Sequence, residues 1–363
     1  MGLHAGLVGA GRIRPIHGRT LAPNPRVDRL SLTDPDPVRA PSVQCVALVA
    51  ERSRAEHRLG RVGEASSAGN RVAGAPITWG VCEVPGWGWQ MPAERVLDEM
   101  RALGLEATEL GPPGFLPAGG DALRARLEAS GLRLVAGFLA LDPRRPSGRA
   151  LPGVLERTVL SLAAAGAEVL VLAAAGGGEG YDRRQRLEPP DWPGLSRWLK
   201  AARELAEAHG LGLAVHPHIG TLVEDGDDVG RLLELTDVDL CLDTGHLAVA
   251  GVEPLEVAHA AAGRIRHVHL KDVDGELAQE VRSGRISYAA AVARGLYRPL
   301  GQGSVDVAEL VRHLEAGAFQ GWYVLEQDVM LSAEPGPGEG PVRAARDSLR
   351  WLQRLLDRPP AAP

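Results

Sequence analysis

Cysteine is scarce: Cys45, Cys82 and Cys241 are the only three in 363 residues, an odd number without CxxC spacing. That excludes a disulfide framework and a thiolate zinc site. Cys241 falls inside an apolar run, where a reduced thiol packs as a small apolar side chain. No apolar stretch approaches the ~20 residues a membrane span needs, and no charged-then-apolar leader opens the chain. Lysine is rare, and a net charge of −6 without a basic stripe argues against nucleic acid as a partner. What remains is ordinary for a globular enzyme, with 45% apolar and 24% charged residues. A cytoplasmic protein that binds neither membrane nor nucleic acid is expected, with homo-oligomer formation left open.

The informative part runs from Leu213 to Asp272, through LAVHPHIGT, DLCLDTGH and IRHVHLKD. Each piece is a short apolar segment closing on residues that can hold a metal: His216 and His218, Asp243 and His246, His267 and His269. A fourth, GWYVLEQD, closes on Glu326. With helical patterns between them, these read as parallel strands of βαβ units. His216 to Asp243 is 27 positions and Asp243 to His269 is 26, close to the roughly 30 residues a (β/α)₈ barrel spends per unit. In that fold the strand C-termini converge on one face, so His216, Asp243, His269 and Glu326 are expected to share a space.

Taken in order, the chain first reads as an apolar strand, Gly9-Ala10-Gly11, a helix and then Asp34. That is the opening of a dinucleotide-binding unit. Arg14 replaces its third glycine, and one βαβ unit cannot build a nucleotide crevice. Residues 1–70 therefore read as a degenerate Rossmann-like fragment or a disordered extension, and residues 71–363 as the barrel. In the barrel, PITWGV reads as the first strand and LEATEL, closing on Glu109, as the second. After GGGEGYD, placed where an active-site loop belongs, come strands five to eight with His216, Asp243, His269 and Glu326. The last step, His269 to Glu326, is 57 positions. Its extra length holds one predicted helix, LAQEVRSGRISYAAAVARG, placed as a lid or substrate wall.

Each residue also has a plainer role open to it. Asp243 is placed to cap the next helix. The HxH pair is expected to divide, His269 into the barrel and His267 as a satisfied structural histidine on the other side. Glu326 is otherwise one half of an ion pair, and Lys271 a surface lysine. Imidazole and carboxylate without thiolate favour Mn²⁺, Co²⁺, Fe²⁺ or Zn²⁺ over Ca²⁺, at an open catalytic site. Lys271, His246 and His218 are the titratable groups nearest the ligands. A lysine beside a cation loses proton affinity, which suits base work. Glu83, Glu109, Glu179 and Gln302 fall in catalytic-face loops suited to holding ring hydroxyls. Trp79 and Trp87 either stack on a sugar ring or belong to the core.

LDTGH, HVHLKD and VLEQD carry a resemblance to the xylose-isomerase-like barrels, the sugar phosphate isomerase/epimerase superfamily. That resemblance spans residues 75–356 and implies a divalent ion, Mn²⁺ or Co²⁺ first, on Asp243, His269, Glu326 and a strand-five residue. Many members have Glu-Asn-His at strand five, whereas this chain has His216-Pro217-His218. HPHIGT, TWG and HLKD are similar to the inosose dehydratase branch, which implies dehydration of a cyclic polyol ketone in inositol catabolism. The N-terminal fragment resembles the start of an inositol dehydrogenase. The alternatives are a sugar isomerase or epimerase on the same barrel, or a non-catalytic sugar-binding barrel.

Overall fold

The computed structural model describes residues 5–7, 30–32, 71–144, 151–177 and 180–357. The chain divides into two units, Met1–Ser66 and Ser67–Pro363. In the first, Ala5–Leu7 and Leu30–Leu32 pair as parallel strands. Gly9, Gly11, Arg14 and Asp34, which carried the dinucleotide reading, lie outside the described residues.

The second unit is a closed barrel of eight parallel strands. They are β1 Val72–Gly74, β2 Ala107–Glu109, β3 Arg133–Leu141, β4 Val169–Ala174, β5 Gly212–Val215, β6 Asp239–Asp243, β7 Ile265–Leu270 and β8 Tyr323–Leu325. Strand order follows the sequence, and β8 closes the ring by pairing with both β7 and β1. Helices between the strands form the outer layer: α1 Ala93–Leu103, α2 Gly120–Ala129, α3 Gly153–Ala164, α4 Trp192–Ala208 and α5 Gly226–Leu235. They continue as α6 Thr244–Ala250, α7 Pro254–Ala260, α8 Gly275–Arg282, α9 Tyr288–Ala293, α10 Val307–Ala316 and α11 Pro341–Leu356. This is a (β/α)₈ TIM barrel.

Strand parity decides which side chains see the centre. Alternate residues of a strand face opposite sides of the sheet. Leu170 and Leu172, Leu213 and Val215, Leu240 and Leu242, and Val268 and Leu270 belong to the large core between strands and helices. The intervening residues fill the barrel interior: Ala73, Ala107, Val169, Val171, Ala214, Cys241 and Val324. Continuing that second series up each strand gives Glu109, His216, Asp243, His269 and Glu326. Small and medium residues, with His267, pack the floor, and the polar ends of the series cap it.

Two elements differ from the sequence reading. PITWGV is not a strand: β1 lies just before it, and Pro76–Trp79 is a 3₁₀ turn ended by Gly80 at φ 80°. Pro76 lacks the N–H a central strand would donate, and its fixed φ suits the first position of a helical turn. The insertion holds two helices, α8 and α9, rather than one. Gly284 at φ 68° stops the chain after α8, and the Ser287 hydroxyl accepts from the Ala290 N–H to start α9.

Candidate active site

The polar end of the barrel interior gathers around Asp243, which is fully buried. Its two oxygens do different work. Oδ1 accepts from the N–H groups of Gly245 and His246, at 2.8 and 2.9 Å, and caps α6. Oδ2 faces the centre, 3.3 Å from His216 Nε2 and 3.4 Å from His269 Nδ1. Glu326 joins it, with Oε2 2.9 Å from the same His269 nitrogen. Glu109 closes the floor, its Oε1 within 2.8 Å of His267 Nε2 and 3.0 Å of His269 Nε2. Glu326 is held down to about 2: burial alone would raise it, but the His269 and Lys271 charges outweigh that.

Lys271, one of two lysines in the chain, is buried behind these carboxylates. Its Nζ lies 2.6 Å from Glu326, 2.9 Å from Asp328 and 3.3 Å from Asp243. Burial disfavours the ammonium, but Asp243, Asp328 and Glu326 reverse that and hold its affinity for the proton well above the usual value. Because Nζ donates, His246 Nε2 at 3.0 Å must accept, and His246 Nδ1–H is then left for the Tyr297 hydroxyl at 3.4 Å. The glycine of LDTGH is a packing requirement. A Cβ on Gly245 would lie 2.6 Å from the Lys271 Cβ and 2.7 Å from a Tyr297 ring carbon. Thr244 locks β6 to β7 by donating to the Lys271 carbonyl and accepting from its N–H, at 2.6 and 2.7 Å.

Above this floor lies a cavity of about 230 Å³, walled by Trp87, Glu83, Phe138, Tyr181, His218 and Asp328 among others. That is near the lower end of the ~300–1,000 Å³ of small-molecule sites and has room for one small ring. His218 donates from Nδ1 to the Ile219 carbonyl at 2.7 Å, which leaves Nε2 as a lone pair. Burial, with His216 and Lys271 close by, lowers its proton affinity to about 3, so the ring is neutral. The Tyr181 ring covers it at 4.3 Å between centroids, and the Tyr181 hydroxyl donates to Glu83.

The chemistry of the donor set fits a divalent metal. Asp243, His269 and Glu326 offer ligand atoms within 4.8 Å of one another, and so do His216, Asp243 and His246. His269 Nδ1 and His216 Nδ1 are buried without hydrogen-bond partners. An imidazole lone pair turned toward two carboxylate oxygens is repulsive unless a proton or a metal ion lies between them. The carboxylates hold a proton there strongly, despite burial of the ring. Taking up a metal therefore means releasing that proton.

The structure separates the residues singled out from sequence. His216, His218, His269, Glu326, Glu83, Trp87 and Glu109 line the cavity. Asp243, His246 and Lys271 stand behind its wall, so of the three proton-transfer candidates His218 alone faces the space a substrate would enter. Trp79 is core, with its indole N–H bound to Glu99 of α1 at 2.8 Å. Gln302 is exposed and away from the cavity, and Glu179 lies outside the described residues. His267 does not leave the barrel. It shares the face of His269, because residues two apart on a strand point the same way, and both rings meet Glu109.

Four contributors escaped the sequence reading: Asp328, Tyr288, Tyr297 and Phe138. Asp328 has a signal, since two residues beyond Glu326 it falls on the same side of the chain. Tyr288 and Tyr297 come from the insertion. The Tyr288 hydroxyl donates to Asp328 at 2.7 Å and lies 3.1 Å from that of Tyr297.

The sequence signature described as "Xylose isomerase-like TIM barrel" matches residues 97–355. The rhizopine catabolism protein MocC of Rhizobium meliloti is 35% identical over 71% of this chain and 81% of its own length. An inosose dehydratase of Geobacillus kaustophilus is 32% identical over 79% of this chain and 94% of its own. Among solved structures, an L-ribulose 3-epimerase superposes with a TM-score of 0.57 over 79% of this chain and 94% of its own. At 17% identity, that likeness concerns the fold alone.

Proposed function

This chain belongs to the xylose isomerase-like TIM barrel family, and from that premise we propose that it removes water from an inosose, 2-keto-myo-inositol, with a divalent metal. It is an enzyme of the hydro-lyase kind. The observation that carries the choice of substrate and reaction is the cavity wall at strand five. There His216 stands where many members of the family have the glutamate an epimerase would use as a base, and His218, two positions on, presents a neutral imidazole with a fixed tautomer. The 230 Å³ space suits one six-membered ring.

Dehydration requires a base for the proton α to the ketone and an acid for the departing β-hydroxyl. His218 Nε2 takes the α-proton, its ring held by the Ile219 carbonyl and the Tyr181 face. Asp328 lines the cavity and touches the Lys271 ammonium at 2.9 Å. As a carboxylate between the Lys271 ammonium and the Tyr288 hydroxyl, it takes a proton from Lys271 and passes it to the departing hydroxyl, so the carbon–oxygen bond breaks to water as the ring double bond forms. Asp243, His269, Glu326 and His216 would hold the metal, whose chemistry there is stabilisation of negative charge developing on the ketone oxygen. Glu83 and Glu109 accept from ring hydroxyls, and Trp87 supplies an apolar wall. Lys271 acts from behind the wall as a proton source, because three carboxylates keep it charged.

The test is to offer the purified protein inosose with Mn²⁺ or Co²⁺ and follow the ultraviolet absorbance of the unsaturated product. His218→Asn should lower turnover about 10²–10⁴-fold with metal content unchanged. Interconversion of ketoses with inosose untouched would establish an epimerase instead.

A further inference from the structure

Glu109 ends β2, and its carboxylate lies among histidines that come from β7, 158 and 160 positions later. One oxygen, Oε1, takes both contacts: His267 Nε2 at 2.8 Å and His269 Nε2 at 3.0 Å. An ionised carboxylate only accepts, so both nitrogens carry hydrogen. A neutral imidazole has one N–H. With its hydrogen on Nε2, the neutral His269 ring leaves Nδ1 bare, and Nδ1 is the atom 2.9 Å from Glu326 and 3.4 Å from Asp243.

We infer that Glu109 is a positioning residue that fixes the tautomer of His269, aiming an unprotonated Nδ1 at the site shared with Asp243 and Glu326. This rests on the metal-centred reading above. Without Glu109 the neutral ring has a better alternative. Its hydrogen would move to Nδ1 and bond the Glu326 oxygen, in competition with any metal for that lone pair. His267 completes the device. Fully buried and off the cavity wall, it holds the same carboxylate oxygen from below, so Glu109 cannot swing away. Carboxylates bound to the far nitrogen of a metal-ligating histidine act in this way, and removing them typically weakens metal binding about 10–100-fold. Glu109 thereby acts through His269, with only its other oxygen left for a substrate hydroxyl.

The experiment titrates the full chain with Co²⁺ alone and reads affinity, ions bound per chain and the visible absorption band. In parallel, ¹⁵N NMR of histidine-labelled, Zn²⁺-loaded protein reads which nitrogen of His269 carries hydrogen. Glu109→Ala is expected to bind Co²⁺ about 10–100-fold more weakly, with the same stoichiometry and band positions. Glu109→Gln, which keeps an acceptor oxygen, should recover most of the affinity. The wild type should show hydrogen on Nε2. If Glu109→Ala does not fold, Glu109→Met keeps the bulk, removes the acceptor and is read in the same way. Hydrogen on Nδ1 in the wild type, unchanged Co²⁺ affinity in the variant, or loss of one bound ion per chain would overturn the inference; the last would make Glu109 itself a ligand. If the wild type takes up no Co²⁺, the proposed metal chemistry fails. The NMR measurement on metal-free protein, taken at a pH high enough to remove the second proton from the His269 ring, then decides the tautomer by itself.

Discussion

Asp243 and Lys271 show how little freedom a side chain keeps at the centre of this barrel. Asp243 gives one oxygen to the N-terminus of α6 and the other to the site, so the capping role is compatible with the proposed ligand role. Lys271 is the counter-charge to Asp243, Glu326 and Asp328. Removing one partner of a buried ionic cluster strands the others and costs about 3–5 kcal/mol. Lys271→Met, which keeps the apolar stem, is therefore expected to lose about that much stability in metal-free protein. Saturating Co²⁺ should recover part of the loss, because the ion supplies positive charge to the same carboxylates. Urea unfolding with and without Co²⁺ measures both numbers. A loss of under ~1 kcal/mol, within the range of an exposed ion pair, would mean that the carboxylates are balanced by something other than Lys271.

At the scale of elements, the segment after β7 backs the cavity wall, where its Tyr288 bonds Asp328. It begins with a two-stranded antiparallel ribbon, Asp272–Val273 against Tyr297–Arg298, which frames α8 and α9. Asp272 is fully buried and receives four backbone N–H groups: Gly301 and Gly303 on Oδ2 at 2.9 Å, and Val273 and Val305 on Oδ1 at 2.9 and 3.0 Å. The loop passes so close that a Cβ on Gly303 would lie 2.3 Å from Asp272 Oδ1. One carboxylate thus pins the return of the insertion that delivers Tyr288 and Tyr297 to the site. Hydrogen bonds to a charged group contribute about 1.5–3 kcal/mol each, and water reclaims some of these amides, so Asp272→Ala should destabilise by about 2–4 kcal/mol. KM for the proposed ketone substrate should rise with it, since Asp328 loses the firm hold of Tyr288. Wild-type stability together with wild-type KM would show that the ribbon, not Asp272, fixes the insertion.

For the whole molecule, the barrel closes on itself without the first unit. β1 starts at Val72, one residue after Arg71, whose guanidinium binds the carbonyl of Gly321 and the carboxylate of Glu315 at 3.0 and 2.9 Å. Those contacts tie the start of β1 to the end of α10 and the approach to β8. A chain beginning at Ser67 retains all of them. Deleting residues 1–66 is expected to leave the urea midpoint and turnover of the barrel within error of the full chain. Loss of folding on truncation, or NAD binding by the full chain that Gly11→Trp abolishes, would give the N-terminal segment a role. No described helix is long and apolar enough to cross a membrane.

The sequence by itself determined the barrel and the set of strand ends, because both are written in local pattern. Apolar runs of strand length recur at one-unit spacing, and the residue closing each run inherits its direction from strand parity. The position of Glu109 at the end of β2 was legible for the same reason. Its partners were not, since nothing near it in sequence indicates that His267 and His269 would arrive from β7. Strand parity puts His267 inside with His269, against the reading that set it on the other side, and the contact with Glu109 that satisfies it exists only once eight strands close into a ring. The same closure decided that Lys271 lies behind the cavity wall while Asp328 and His218 face it. It also brought Tyr288 and Tyr297 into the site, from helices whose boundaries Gly284 and Ser287 mark but whose destination they do not. Ligand type follows from composition along a strand, whereas hydrogen-bond partners, tautomers and access depend on distances across the barrel that no local pattern encodes.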